Sequence, residues 1–230
     1  MGLYRIFAGF LSFTQHKKMP FLREINPADG IVAGIWHITE TSGELRSLVH
    51  LDEAEEILYT SFSHELRKRQ WLAYRVLLRE ILAPHSSALF YNDHGKPCLT
   101  SGSHHISVSH AGDYAAAVYS ERFPVGIDIE QLKDRIERVK ERFMQEDELG
   151  SLSTQNRLEQ LYVYWCGKEA LYKLRGTPEL DFRRDFHIHP FEYLCTTNQT
   201  CKATIRLNDI PEDYTLHYFK TGDYMLVVAY

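Results

Sequence analysis

The segment Val125 to Glu130 reads VGIDIE, with Asp128 and Glu130 two residues apart. In an extended strand that spacing puts both carboxylates on one face and turns Ile127 and Ile129 to the other. Like charges held so close raise each other's proton affinity unless a cation sits between them. The pair is therefore either half of a hard-metal site or an exposed strand end. Further on, Trp165, Glu169 and Lys173 recur every four residues in WCGKEALYK and share one stripe of a helix. Glu169 could be a third oxygen ligand, and Lys173, one turn on, could hold a phosphate oxygen. The plain alternative is a solvated Glu–Lys pair worth about 0.2–0.5 kcal/mol.

Ser109 and His110, in ISVSHAGDY, stand at the end of a strand just before a turn. There a hydroxyl, an imidazole and free backbone N–H groups can gather around an anion. A lone His near a turn is more often structural, so His110 counts only through its context. Lys96 projects from the stiff turn GKP, which is otherwise a surface loop. Arg67, Lys68, Arg69, Arg75 and Arg79 give one helix a basic face, which is either solvated or suited to a phosphate-rich ligand.

The elements that must position these groups follow from pattern. Ile31 to Ile38 (IVAGIWHI) reads as a first strand, followed by a short acidic helix around Leu51 to Tyr59. Ser63 to Leu82 places Leu66, Trp71, Tyr74, Leu77, Leu78 and Leu82 at helical spacing, and the chemistry-bearing stripe lies in a second long helix, Leu158 to Leu174. Short strands are expected at 88–91 and 106–109, and longer ones at 114–120 and 125–130. GDYAAAVYS at 112–120 matches GDYMLVVAY at 222–230, and QWLAYRVLLR at 70–79 aligns with YWCGKEALYK at 164–173. The alignment points to an α+β fold of two pseudo-twofold-related subdomains, each a long helix on a small, mainly antiparallel sheet, with the site in the cleft between them. The bland alternative is that Gly-Asp turns before apolar strands are common. The expected divisions are an N-terminal arm or extension, 1–30, a first half, 31–124, and a second half, 125–230.

With 230 residues, 44% hydrophobic and 25% charged, the chain is long enough for a sizeable core. A net charge of −5 argues against a dedicated nucleic-acid binder. No apolar run reaches the roughly 18 residues of a transmembrane helix. Cys98, Cys166, Cys195 and Cys201 form no C-x-x-C pair, so they read as reduced cytosolic thiols. The opening MGLYRIFAGFLSFTQHKK lacks a small-residue cleavage pattern, so no signal peptide is expected, and Met19 is an alternative start.

The ordered set GKP, SVSH, GIDIE and WCGKEALYK resembles the surfactin-type 4'-phosphopantetheinyl transferases, over about Arg67 to Lys173. That family has a G-x-D-x-E strand followed by a W-x-x-K-E-x-x-x-K helix, in two pseudo-symmetric halves with coenzyme A between them. The resemblance implies magnesium, with manganese as an alternative, on Asp128, Glu130 and Glu169. It implies coenzyme-A contacts from Lys173, Ser109, His110 and Lys96, with Lys168, Arg67 and Arg75 as further basic candidates. It also implies Glu148 as general base. The implied reaction moves the 4'-phosphopantetheine arm of coenzyme A to a serine of an apo acyl or peptidyl carrier protein, releasing 3',5'-ADP. A cytoplasmic monomer with no nucleic-acid or membrane partner is expected. The competing readings are a metal-dependent phosphohydrolase and a non-catalytic coenzyme-A-binding module.

Overall fold

The computed structural model describes residues 23–82, 89–92, 96–100, 104–176, 179–195, 199–208 and 210–230. The expectations for the first 18 residues and Met19, and Gly95 of the GKP loop, lie outside them.

One sheet contains β1 (Arg23–Ala28), β2 (Ile31–His37), β5 (His105–Ala111) and β6 (Tyr114–Ser120), in the order β1-β2-β6-β5, with every pairing antiparallel. On β6, Ala115 and Ala117 face helix α3 (Glu65–Leu82), while Ala116 and Val118 face the opposite way. The small alanines let Trp71, Leu72 and Leu78 of α3 sit close to the sheet. Two short helices, α1 (Ser42–Arg46) and α2 (Glu53–Ser61), precede α3 and open on capping boxes built by Thr41 with Glu44 and Asp52 with Glu55. A small hairpin, β3 (Leu89–Tyr91) with β4 (Pro97–Leu99), lies after α3.

The second sheet runs β7 (Gly126–Gln131), β11 (Tyr224–Ala229), β10 (Ile210–Thr221), β9 (Gln199–Leu207) and β8 (Phe186–Ile188), again antiparallel throughout. Helix α5 (Arg157–Arg175) covers its Met225, Val227, Ala229 and Leu216 face. The opposite face, with Ile127, Ile129, Leu226 and Val228, packs on Ile31, Ile35, Ala116 and Val118 of the first sheet. The layers are thus helix, sheet, sheet, helix, a mixed α+β arrangement. Short helix α4 (Glu146–Gly150) and two 3-10 turns, Asp134–Arg138 and Lys140–Arg142, bridge β7 to α5.

The β5–β6 and β10–β11 hairpins both turn through Gly-Asp, with Gly112 at φ +52° and Gly222 at φ +55°. A positive φ at the first central residue is what glycine supplies without steric cost. The strands after these turns bring Tyr114 and Tyr224 together, ring centroids 4.6 Å apart.

Two expectations need correction. Residues 23–28, expected in an N-terminal arm, instead form β1, because Ile25 has an apolar place in the core between the sheets. Leu66, counted in the apolar stripe of α3, is exposed, because it lies in the first turn, before the stretch that meets the sheet. Among the described residues, no helix is long and apolar enough to cross a membrane.

Candidate active site

β5 ends the first sheet and β7 ends the second, so two strand edges meet. An unpaired edge leaves backbone N–H groups without partners. Here serine hydroxyls fill that need: Ile127 N–H donates to Ser107 Oγ at 3.2 Å and Ile129 N–H to Ser109 Oγ at 3.3 Å. Helix α5 closes on β7 from the other side, over Gly126. A Cβ at that glycine would lie 1.9 Å from the Ala170 carbonyl oxygen. Glycine is therefore what lets the helix carrying Glu169 and Lys173 approach the strand carrying Asp128 and Glu130.

A cavity of about 750 Å³ opens where α3, β5, β7, α5 and the β3–β4 hairpin converge. Arg67, Lys96, Ser109, His110, Asp128, Glu130, Glu169 and Lys173 all line it. Eight of the expected site residues are therefore brought to one void. Ile127 and Ile129 point into the core between the sheets, as strand alternation requires, and Asp128 and Glu130 face α5.

Asp128 is 4% exposed, and its Oδ1 accepts from Lys173 Nζ at 2.7 Å and from Ser109 Oγ at 2.8 Å. Lys173 Nζ also donates to Ser109 Oγ at 3.0 Å and to the Ile127 carbonyl at 3.1 Å. The Glu–Lys surface pair that the helical spacing allowed is therefore replaced by a lysine turned inward. Asp128 Oδ2 is buried and has no hydrogen-bond partner among the described residues. Burial, reinforced by the Asp128 charge, pushes Glu169 up to about 7, and the same two causes raise Glu130. An orphaned carboxylate oxygen and two carboxyls kept from ionising freely form an oxygen-only donor set with unmet need for positive charge. Such a set fits a hard divalent cation. No group of three or more ligand side chains is already gathered at metal-binding geometry among the described residues.

The basic residues divide by role. Arg67 donates through Nη1 to His110 Nε2, so that nitrogen is unprotonated. Burial, then the Arg67 and Lys173 charges, pushes His110 down to about 4, so it stays neutral near pH 7. Lys96 Nζ donates to the Leu174 carbonyl at 3.1 Å, satisfying the C-terminal end of α5 where Gly176 adopts φ +65°.

Three expected site residues do not line the cavity. Glu148 is fully buried. Its Oε2 accepts from Lys168 Nζ at 2.7 Å and from Gln145 N–H at 2.6 Å, and its Oε1 accepts from Ile188 N–H at 2.8 Å. A general base must reach its proton, and this carboxylate instead closes the N-terminus of α4. Lys168 is equally sealed, donating also to the carbonyls of Phe143, Phe182 and Phe186, so it cannot meet coenzyme A. Arg75 is 5% exposed and engaged by Glu55, Tyr74 and Tyr91. It too has no donor for a phosphate. Cys166, inside the same motif, is a core residue whose thiol burial pushes well up.

Sequence reasoning missed the cavity's Tyr74, Tyr91, Pro97 and Tyr172, and also Ser107. Ser107 had a signal, since Ser107 and Ser109 alternate on one strand face; Tyr91 had none.

Residues 124–229 match the 4'-phosphopantetheinyl transferase superfamily. Over 117 residues the chain is 31% identical to the 4'-phosphopantetheinyl transferase AcpT of Salmonella typhi, covering 48% of this chain and 60% of that protein. It is 35% identical to the 4'-phosphopantetheinyl transferase psf-1 of Bacillus pumilus, covering 47% of this chain and 50% of that protein. It is 31% identical to the 4'-phosphopantetheinyl transferase Sfp of Bacillus subtilis (strain 168), covering 36% and 39% respectively. The chain thus spans between two fifths and three fifths of the length of these relatives. The stretch that carries Asp128, Glu130, Glu169 and Lys173 is thus similar to the 4'-phosphopantetheinyl transferase superfamily.

Proposed function

We propose that the protein transfers the 4'-phosphopantetheine arm of coenzyme A to a serine hydroxyl of an acyl or peptidyl carrier protein. The observation that carries this reading is the meeting in one cavity of Asp128, Glu130 and Glu169 with Lys173, Lys96 and Arg67. That pairing of an anionic wall with a cationic one suits a pyrophosphate and the divalent cation that accompanies it. Asp128, Glu130 and Glu169 would hold magnesium, or manganese in its place. When bound, the ion supplies charge neutralisation for the leaving phosphate.

The chain's own residues do the rest. Lys173, anchored on Ser109 and the Ile127 carbonyl, presents a fixed positive centre that needs no reorganisation during reaction. Arg67 and Lys96 add positive charge at the cavity wall. Neutral His110 contributes a hydrogen bond rather than a charge. The serine oxygen bonds to the phosphorus of the pantetheine phosphate, the pyrophosphate P–O bond breaks, and 3',5'-ADP departs. With Glu148 sealed in the interior, the serine proton would pass to solvent or to a carboxylate oxygen of the cavity that the cation leaves free. Positioning and electrostatics supply most of the rate enhancement in phosphoryl transfer of this kind.

Several finer assignments belong to the same proposal. The two halves, 31–124 and 125–230, would be related by a pseudo-twofold axis, as the paired Gly-Asp hairpins and the paired helices α3 and α5 suggest. The cavity draws on both halves of one chain, which favours a monomer. The four cysteines are free thiols, which suits a reducing cytoplasm. Lys133 and Arg135, exposed just after β7, would steer an acidic carrier protein towards Glu130.

The test is incubation of the protein with coenzyme A, magnesium and apo carrier protein, read by intact mass. The carrier should gain one phosphopantetheinyl group, and 3',5'-ADP should appear in equal amount. Hydrolysis of coenzyme A without carrier modification would replace this reading with a phosphohydrolase, and binding without turnover with a non-catalytic module.

A further inference from the structure

Arg75 makes five hydrogen bonds to interior acceptors. Nη1 donates to the Tyr74 hydroxyl at 2.7 Å and to the Trp71 carbonyl at 3.4 Å; Nη2 donates to the Tyr91 hydroxyl at 2.9 Å. Nε and Nη2 both donate to Glu55 Oε1, at 3.2 and 3.0 Å. The guanidinium also lies over the Trp71 ring, 3.2 Å from its centroid. All five N–H groups are used, which is the full donor capacity of arginine. The partner carboxylate, Glu55, comes from α2 and is itself only 16% exposed.

The hydrogen-bond accounting of the two phenols has a consequence. Their oxygens lie 2.5 Å apart, so one donates to the other. Arginine has no acceptor, so neither phenol can direct its proton at Arg75. The pair holds two protons and uses one internally. Either oxygen can donate in that bond; Tyr74 is 4% exposed and Tyr91 half-buried, so Tyr74 has the greater need of an acceptor inside the protein and we take it as the donor to Tyr91. The Tyr91 proton then has no acceptor among the described residues. Both side chains line the cavity, and Tyr91 pairs with Pro97, next to Lys96 at the C-terminal end of α5. That end lies two residues beyond Lys173 and six, nearly two turns, beyond Glu169. Burial also pushes the Tyr74 phenol up, so it keeps its proton across the working pH range.

We infer that Arg75 is a positioning residue: held by Glu55 and Trp71, it orients Tyr74 and Tyr91 so that a single phenolic O–H, that of Tyr91, points into the cavity as a directional donor to an acceptor atom of the nucleotide half of coenzyme A. This rests on the transfer reading above. The aromatic and apolar wall of Tyr74, Tyr91, Pro97 and Tyr172 suits a flat base, whereas the carboxylates and Lys173 mark the end where the arm is transferred. A ligand running along α5 between them places its nucleotide at Tyr91.

Calorimetric titration of coenzyme A and of 3',5'-ADP into wild type, Tyr91→Phe, Arg75→Met and the double variant tests the inference. Tyr91→Phe deletes one hydroxyl at a half-buried site, and its titration is read on protein shown to be folded by circular dichroism. Loss of one hydrogen bond should weaken both ligands by about 3- to 10-fold. Arg75→Met should weaken them by a similar factor, and the double variant should bind no worse than the weaker single variant, because both changes remove one shared interaction. Unchanged binding by Tyr91→Phe would overturn the inference, as would additive losses in the double variant. A loss for coenzyme A but not for 3',5'-ADP would also overturn it, by moving the phenol to the pantetheine arm. If Arg75→Met fails to fold, the Tyr91→Phe result with the two ligands still decides. Wild-type protein that binds neither ligand would sink the transfer reading as well, whereas binding and turnover with an unaffected Tyr91→Phe would sink the inference alone.

Discussion

Replacing Gly126 by alanine adds one methyl group at a point the fold leaves no room for. The new Cβ would stand 1.9 Å from the Ala170 carbonyl oxygen, 2.8 Å from its carbon and 2.9 Å from the Leu174 nitrogen. All three are backbone atoms, so no side-chain rotation relieves the clash. Carbon and carbonyl oxygen approach no closer than about 3.3 Å, so α5 must retreat from β7 by roughly 1.4 Å. Overpacking of this kind costs about 1–3 kcal/mol, which for a chain of this length lowers the melting temperature by about 2–12 °C. The functional cost is larger than the stability cost, because Glu169 and Lys173 move with the helix while Asp128 stays on the strand. A displacement near 1 Å lowers turnover by about 10²-fold. Thermal unfolding and single-turnover transfer on the folded fraction measure the two effects separately. Gly150→Ala is the control, since a Cβ there meets nothing within 4 Å. A Gly126→Ala protein with wild-type melting temperature and wild-type transfer rate would refute the close-approach argument.

Glu148→Gln leaves the buried Lys168 ammonium without its anion. It should destabilise the fold by about 3–5 kcal/mol, measured by urea unfolding, as breaking a buried pair does. The folded fraction should keep its transfer rate, whereas a general base would lose it. His217 lies buried with Nε2 unpartnered among the described residues, and burial pulls its proton affinity below the ordinary His value of 6.5. The unfolded chain therefore takes up the proton first, so this stability contribution is intact above about pH 6.5 and is lost as pH falls below it. Unfolding free energy followed from pH 7 to 5 should fall less steeply in His217→Leu than in wild type, and identical slopes would remove the assignment. Reversing charge at Lys133 and Arg135 should raise the KM for an acidic carrier and flatten its salt dependence, leaving coenzyme-A affinity untouched in the same titrations.

How far the sequence could be read differs by level. The strand carrying Asp128 and Glu130 and the helix carrying Glu169 and Lys173 were legible because their periods, 2 and near 4, are local properties of the chain. Which face each presents followed from the same periods. The burial of Glu148, Lys168 and Arg75 away from the cavity was not legible in the sequence. A charged residue in the right motif looks the same whether it faces a ligand or a sealed interior partner. Glu148 and Lys168 are 20 residues apart, and Arg75 and Glu55 likewise, so their pairing is a property of tertiary packing. Ser107 and Ser109 carried a readable alternation, but their use, stitching β5 to the free edge of β7, depends on two sheet edges meeting. Strand β1 was overlooked because Arg23–Ala28 (REINPA) places a proline and an asparagine in an edge strand with a register shift between Ile25 and Ala28.

The convergence of Asp128, Glu130 and Glu169 on a single divalent cation is tested most directly by electron paramagnetic resonance of Mn²⁺ titrated into the protein with coenzyme A present. The account predicts one Mn²⁺ held per chain, and Asp128→Asn weakening it more than about tenfold. Equal Mn²⁺ binding by wild type and Asp128→Asn would contradict it.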